Sequence, residues 1–351
     1  MKKIYFLFAM LLMASMVATA APRKAASRKY ASSVQTPVTL PATDVTATGF
    51  TANWKAVPNA AVYQVTCYEP ITVEEDGEYV ILEEGFNYVD VGTSVEPYFP
   101  DESFINFADY EWTDTPDWQG WWPVFAQGMV SGIIYSPYMA LENNDGKFTL
   151  NIDIQGYAGA MFKVVCYGSK EVEKDLYLTE NGLNKFSVEF DCGTHDTFFR
   201  FVEYGIVDDP DMEYADKWDF IDNIQVVQEL KAGDTFLRLI ELYETDEDSY
   251  ETSHRFDNMQ FLYGASHLAY DVMAMVVVYN DPWDDWDYDV YYSDYSPLEH
   301  VTLTSSVEAI ETESTEPVEY FNLQGQRVNG TLTPGIYIRR QGESTSKIYV
   351  K

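Results

Sequence analysis

Residues 41–69 read PATDVTATGFTANWKAVPNAAVYQVTCYE, and the phase of their side chains decides the fold. Phe50, Ala52 and Trp54 alternate with Thr51 and Asn53, so the three apolar residues share one face of a strand. Pro58-Asn59-Ala60 forms a turn, and beyond it Tyr63, Val65 and Cys67 share one face of a second strand over 61–68. Two neighbouring strands with one apolar face each need a facing layer to bury them, which points to a β-sandwich.

This stretch resembles the opening of a fibronectin type III domain, with Phe50–Trp54 as strand B carrying its core tryptophan and Ala61–Tyr68 as strand C. The remaining strands of such a domain do not follow; they resume within 269–303. Tyr270-Asp271-Val272-Met273-Ala274 has the Tyr-x-Val-x-Ala pattern of strand F, where a tyrosine packs at the sandwich corner. Ser293–Pro297, leading into His300–Leu303, resembles the close of strand G, and 235–243 with 250–256 supply the strands between. No second tryptophan-bearing strand B precedes them. One interrupted sandwich (40–78 and 229–304) is the economical organisation, and two degenerate modules are the alternative. A single sandwich requires Trp54 and Tyr270 to share one core.

The intervening residues 79–228 carry a pattern of their own. Alternating segments fall at 147–154, 160–167, 184–190 and 197–204, after an aromatic loop. The opening Glu83-Glu84-Gly85-Phe86 and the closing Phe220-Ile221-Asp222-Asn223-Ile224 resemble the ends of jelly-roll domains found in carbohydrate-binding modules and bacterial surface proteins. The chain ends of such a domain can lie close together, so it inserts into a loop at little topological cost. The resemblance also implies a structural calcium ion, with Glu84 and Asp222 supplying carboxylate oxygens and backbone carbonyls completing the shell. Gly85 stands where relatives often carry an acid. The alternative leaves Glu84 on the surface and Asp222 bonded to backbone.

Both ends of the chain read as addresses. Residues 320–351, YFNLQGQRVNGTLTPGIYIRRQGESTSKIYVK, form three short alternating strands broken at Asn329-Gly330 and at 341–344, as in a β-meander. Tyr320–Gly325, Pro334–Ile338 and Lys347–Lys351 resemble the C-terminal sorting domain of type IX secretion in Bacteroidota-type bacteria, which implies that machinery as a partner of 318–351. At the other end, Lys2 and Lys3 precede an apolar run to Val17 and the small-residue site Ala18-Thr19-Ala20, a signal peptide over 1–20. The apolar run is shorter than the roughly 20 residues a bilayer span needs. Ala21-Pro22, rather than a cysteine, argues against a lipid anchor. A flexible leader (21–39) and a Ser/Thr/Glu-rich linker (305–317) complete the layout.

Composition agrees with an all-β, secreted chain. Aromatic residues make up 16%, including 27 Tyr and 20 Phe, and helix-forming runs are scarce. The charge, 22 − 57 = −35, leaves no basic footprint for nucleic acid and disfavours anionic membranes. Such acidity serves solubility, or else calcium. The three cysteines, Cys67, Cys166 and Cys192, all fall in phase with apolar neighbours. They read as buried free thiols, with a Cys166–Cys192 bridge as the alternative.

The candidate ligand site is the tryptophan cluster Trp112, Trp118, Trp121 and Trp122 within 109–125. Exposed rings there would stack on the C–H faces of sugars beside Asp117 and Gln119; the competing role is core packing. The acidic stretch 281–289, DPWDDWDYD, lacks the glycine of an EF-hand loop and reads as solvated. The four histidines, His195, His254, His267 and His300, form no HExxH pair, and no GxSxG or nucleophilic-cysteine signature is present. His195, in the turn 193–196, is expected to be solvated. The sequence therefore points to a non-catalytic binding or adhesion protein of the cell exterior, partnered by a surface protein, with glycan capture by the jelly roll as the alternative.

Overall fold

A computed structural model describes residues 34–89, 92, 104–107, 113–121, 132–206, 219–246, 250–259, 266–279, 288–304, 318–322, 326–328, 335–341 and 344–350. The signal peptide, most of the leader, the linker, Trp112, Trp122 and nearly all of the acidic stretch 281–289 lie outside the described residues.

The chain is all-β. Its strands begin with β1 (Val38–Thr43), β2 (Phe50–Lys55) and β3 (Val62–Thr72). There follow β4 (Gly77–Glu84), β5 (Phe104–Asn106), β6 (Gln119–Trp121), β7 (Ile133–Tyr135) and β8 (Phe148–Gly156). Next come β9 (Ala160–Tyr167), β10 (Glu171–Tyr177), β11 (Gly182–Phe190), β12 (Phe198–Ile206) and β13 (Phe220–Leu230). The last run comprises β14 (Thr235–Glu244), β15 (Ser253–Phe256), β16 (His267–Tyr279), β17 (Tyr288–Tyr292) and β18 (Glu299–Thr302). No helix among the described residues is long and apolar enough to cross a membrane.

The first sandwich draws its strands from both sides of a long interruption. One sheet has the order β1-β2-β15 and the other β14-β3-β16-β17, with β18 also paired to β16. Phe50, Ala52 and Trp54 of β2 meet Tyr63, Val65 and Cys67 of β3 and Tyr270, Val272 and Ala274 of β16 in one buried cluster. Trp54 and Tyr270 thus share a core. The Tyr270 hydroxyl accepts from the Asn53 amide at 3.1 Å and donates to the Leu40 carbonyl, tying β16 to both β1 and β2 across the sandwich.

Strands β4 to β13 build the second sandwich, from the sheets β10-β9-β12-β7-β6-β5 and β11-β8-β13-β4. Its core is aromatic, with Phe148, Phe190, Phe199 and Phe201 packed ring on ring. The chain enters and leaves it through a two-stranded ribbon. Strand β3 pairs β14 as far as Thr72 opposite Thr235, and β4 pairs β13 from Gly77 opposite Leu230. Between these ladders the Val73 amide donates to the Asp234 carbonyl and the Gly233 amide to the Val73 carbonyl, both at 2.9 Å. Gly233 adopts φ +95, a left-handed conformation that side chains resist.

The C-terminal sheet has the order β20-β19-β21-β22, from β19 (Val318–Phe321), β20 (Arg327–Val328), β21 (Gly335–Gln341) and β22 (Ser344–Val350). Four strands stand where the sequence suggested three. Strand β20 pairs antiparallel with β19, and beside that pairing the Asn322 amide donates to the Gln326 carbonyl while the Asn322 side chain accepts from the Gln326 amide.

Candidate functional site

The two sandwiches meet along a strap, residues 136–142, and a tight turn, residues 193–197. Both are held by backbone. Met139 bridges Thr197, and the Leu141 amide donates to the Thr194 carbonyl at 2.8 Å. Within the turn, the Thr197 hydroxyl accepts from the Thr194 amide at 2.7 Å. Gly193 is required by close approach: a Cβ there would lie 2.2 Å from the Leu141 carbonyl oxygen. The strap then lays Ala140 against Tyr68 of β3 and Leu237 of β14, a small apolar cluster that joins the units.

At the tip of the turn stands His195. Its Nε2 lies 2.7 Å from Oδ2 of Asp271 on β16 and its Nδ1 lies 3.2 Å from Oε1 of Glu142 on the strap. The Tyr68 hydroxyl lies 3.4 Å from the same Nε2, and the Tyr295 ring meets the imidazole edge-on at 4.7 Å. Asp271 is only 1% exposed. Burial alone would lower the His195 pKa, but hydrogen bonds to Asp271 and Glu142, with their charges, outweigh it and hold the imidazole at about 10. Glu142 is pulled below its ordinary value; burial opposes this, and the His195 hydrogen bond and charge prevail. The group is therefore an imidazolium clamped between two carboxylates, not the solvated histidine suggested by its place in a Gly-Thr-His-Asp turn.

Beside the clamp lies a cleft of about 390 Å³ between the units. Val80 and Glu83 of β4 form one wall, Arg238 and Leu239 of β14 the other, and Asp114, Pro116 and Tyr138 close it. Val80 is 43% exposed, an apolar residue left open on an edge strand. Strand β4 is the edge of its sheet and β14 the edge of the other, so the cleft runs between two sheet edges. Arg238 also forms an ion pair with Glu69. Its lining mixes aliphatic side chains with the Glu83 and Asp114 carboxylates and the Arg238 guanidinium, which can hold a ligand by apolar contact and orient it by its hydroxyls or amides.

Of the tryptophan cluster, Trp118 takes the competing role, core packing. Trp118 is fully buried, stacked on Phe201 and set edge-on to Phe86, with its Nε1 donating to the Thr115 hydroxyl at 2.7 Å. A fully buried ring has no surface to offer a sugar, so Trp118 belongs to the core. Trp121 contributes its backbone to β6, opposite Phe104 and Ile133.

The calcium pair also takes on a different character. Glu84 is fully buried, not a surface residue. Its Oε1 accepts from the Phe86 amide at 2.8 Å, and its Oε2 from the Thr115 amide at 3.0 Å and the Thr115 hydroxyl at 2.7 Å. Burial pushes its carboxyl above the ordinary value against these hydrogen bonds. Asp222 is half-buried and accepts from the Asn223 amide at 2.8 Å, at a bulge where Asn223 has φ +44. Across the ladder Asp222 pairs with Asp153, whose carboxylate takes Lys185 at 2.5 Å. Among the described residues no three His, Cys, Asp or Glu side chains gather as a metal site.

What sequence reasoning missed was the junction itself. Its one trace in β16 is Asp271, an acid in a largely apolar strand; Met273 and Met275 on the same face pack against Val62 and Tyr292 of their own sandwich. No family model matches this chain, and no curated protein matches it significantly.

Proposed function

We propose that this is a non-catalytic binding or adhesion protein, secreted or held at the outer cell surface, whose ligand seat is the cleft between its two sandwiches. The observation that carries the proposal is the cleft of about 390 Å³ set between two sheet edges and walled by open apolar and charged side chains. Its size falls within the roughly 300–1,000 Å³ typical of ligand sites.

The non-catalytic part rests on the His195 cluster. A general base needs a free lone pair and a pKa near the working pH. Both nitrogens of His195 face carboxylates and its proton is held to about 10. Such a group serves to fasten rather than to exchange protons. The exterior location rests on the signal-peptide pattern at 1–20 and on the likeness of 318–351 to a type IX sorting domain, whose machinery would be its partner. The fibronectin-like and jelly-roll resemblances are those of display modules, and fold alone assigns no ligand.

Glycan capture is the second reading, and Tyr138 favours it. Half-buried and set edge-on to Phe198 at 5.3 Å, it stands at the cleft near Asp114 and Glu83. An aromatic ring beside carboxylates is the pairing that sugar recognition uses. The test is a glycan array and a panel of extracellular proteins, probed with the wild-type chain and with Tyr138→Ala and Arg238→Ala. Ligands captured by the wild type should be lost from both variants. Capture that survives both would remove the cleft from consideration, and glycan-free capture would leave adhesion alone.

A further inference from the structure

Three cysteines allow three pairings, and the fold leaves one. Cys67 lies in the core of the first sandwich, whereas Cys166 and Cys192 both lie in the core of the second. The Sγ atoms of Cys166 and Cys192 are 3.2 Å apart and both residues are fully buried.

The approach is built into the backbone. Cys166 sits on β9, paired with Phe199 of β12 on one side and Val172 of β10 on the other. Cys192 follows the end of β11 by two residues and is held where it leaves the opposite sheet. Its carbonyl accepts from the Ser169 amide at 2.9 Å, and the next residue's amide donates to the Gly146 carbonyl at 2.9 Å. Gly168 completes the fit, because a Cβ at that position would lie 1.9 Å from the Cys192 carbonyl oxygen. The turn after β9 is thereby pressed onto the Cys192 backbone. Bringing the sulfurs to bonding distance needs about 1 Å of movement, within reach of two side-chain rotations.

We propose that Cys166 and Cys192 form a disulfide that fastens the two sheets of the second sandwich, leaving Cys67 as a free thiol. In the balanced step a thiolate of the pair attacks a disulfide donor R–S–S–R, giving a mixed disulfide and one R–SH. The second cysteine then attacks the mixed disulfide, forms the Cys166–Cys192 bond and releases the second R–SH. Two electrons pass from the cysteines to the donor and two protons leave with them. With both sulfurs buried, the donor reaches them as the chain folds or opens, and the finished bond is shielded from outside thiols. The bond depends on geometry and an oxidant alone, so it stands or falls apart from the binding reading.

The full chain is refolded in a glutathione thiol–disulfide buffer, denatured without reductant and labelled with a thiol reagent. The labelled count should fall from three cysteines to one. Peptide mapping should place the label on Cys67 and yield a cross-linked peptide joining Cys166 to Cys192, which separates on reduction. Three labelled thiols, a bridge that includes Cys67, or a bridge between chains would each overturn the assignment. Refolded Cys67→Ala should show no labelled thiol, and label on Cys166 or Cys192 in that variant would likewise overturn it.

Discussion

His195 and Asp271 lie 76 residues apart on different sandwiches, yet Nε2 of one stands 2.7 Å from Oδ2 of the other. With Glu142 on the opposite ring nitrogen, this contact converts two adjoining units into a fixed frame for the cleft between them. The stability of that frame depends on charge.

The dependence on pH has a definite sign. His195 is held at about 10, above the ordinary histidine value near 6.5, so its folded form binds the proton more tightly than its unfolded form. The stabilisation is complete below about pH 6.5 and declines as pH rises through about 10. Glu142, held low, acts in the opposite sense and loses its contribution as pH falls below the ordinary carboxylate range. An NMR titration should find the His195 ring protonated across neutral pH. A ring titrating near 6.5 would show that the carboxylates do not hold it.

Trp118→Ala should destabilise the chain by about 3–5 kcal/mol in urea unfolding, the range for a large aromatic removed from a core. Trp118→Phe should cost much less. A loss under about 1 kcal/mol for the alanine variant would mean that the ring is not packed.

Glu84→Ala removes the acceptor of the Phe86 and Thr115 donors in a buried place, at a cost of about 1–3 kcal/mol. Because three donors already face that carboxylate, a chelator should leave the melting temperature unchanged. A drop on chelation would place a stabilising cation in the fold.

Oxidised chain should be more stable than reduced chain by about 3–4 kcal/mol, from the loop that Cys166 and Cys192 would close. Equal unfolding midpoints with and without reductant would count against the cross-link.

Much of the fold was legible because alternation survives in strands with one core face. Phe50, Ala52 and Trp54, then Tyr63, Val65 and Cys67, point inward as their phase predicts, and Tyr270 with Val272 completes that core from the far end. The site was far less legible. Gln64, Thr66 and Asp271 are polar residues on outward faces, and period two assigns them to solvent; the insert and neighbouring strands bury them nonetheless. Trp118 was undecided for a related reason. A cluster of tryptophans near acids looks the same in sequence whether the rings face sugar or Phe86 and Phe201. His195 carries no local mark of Asp271, because the contact depends on how two separate units come together.

The most direct test is a double-mutant cycle on that contact, with His195→Gln, Asp271→Asn and the double variant unfolded at pH 7. Coupling of about 1–3 kcal/mol is expected, with the double variant less destabilised than the sum of the singles. Effects that simply add would contradict a junction held by this pair.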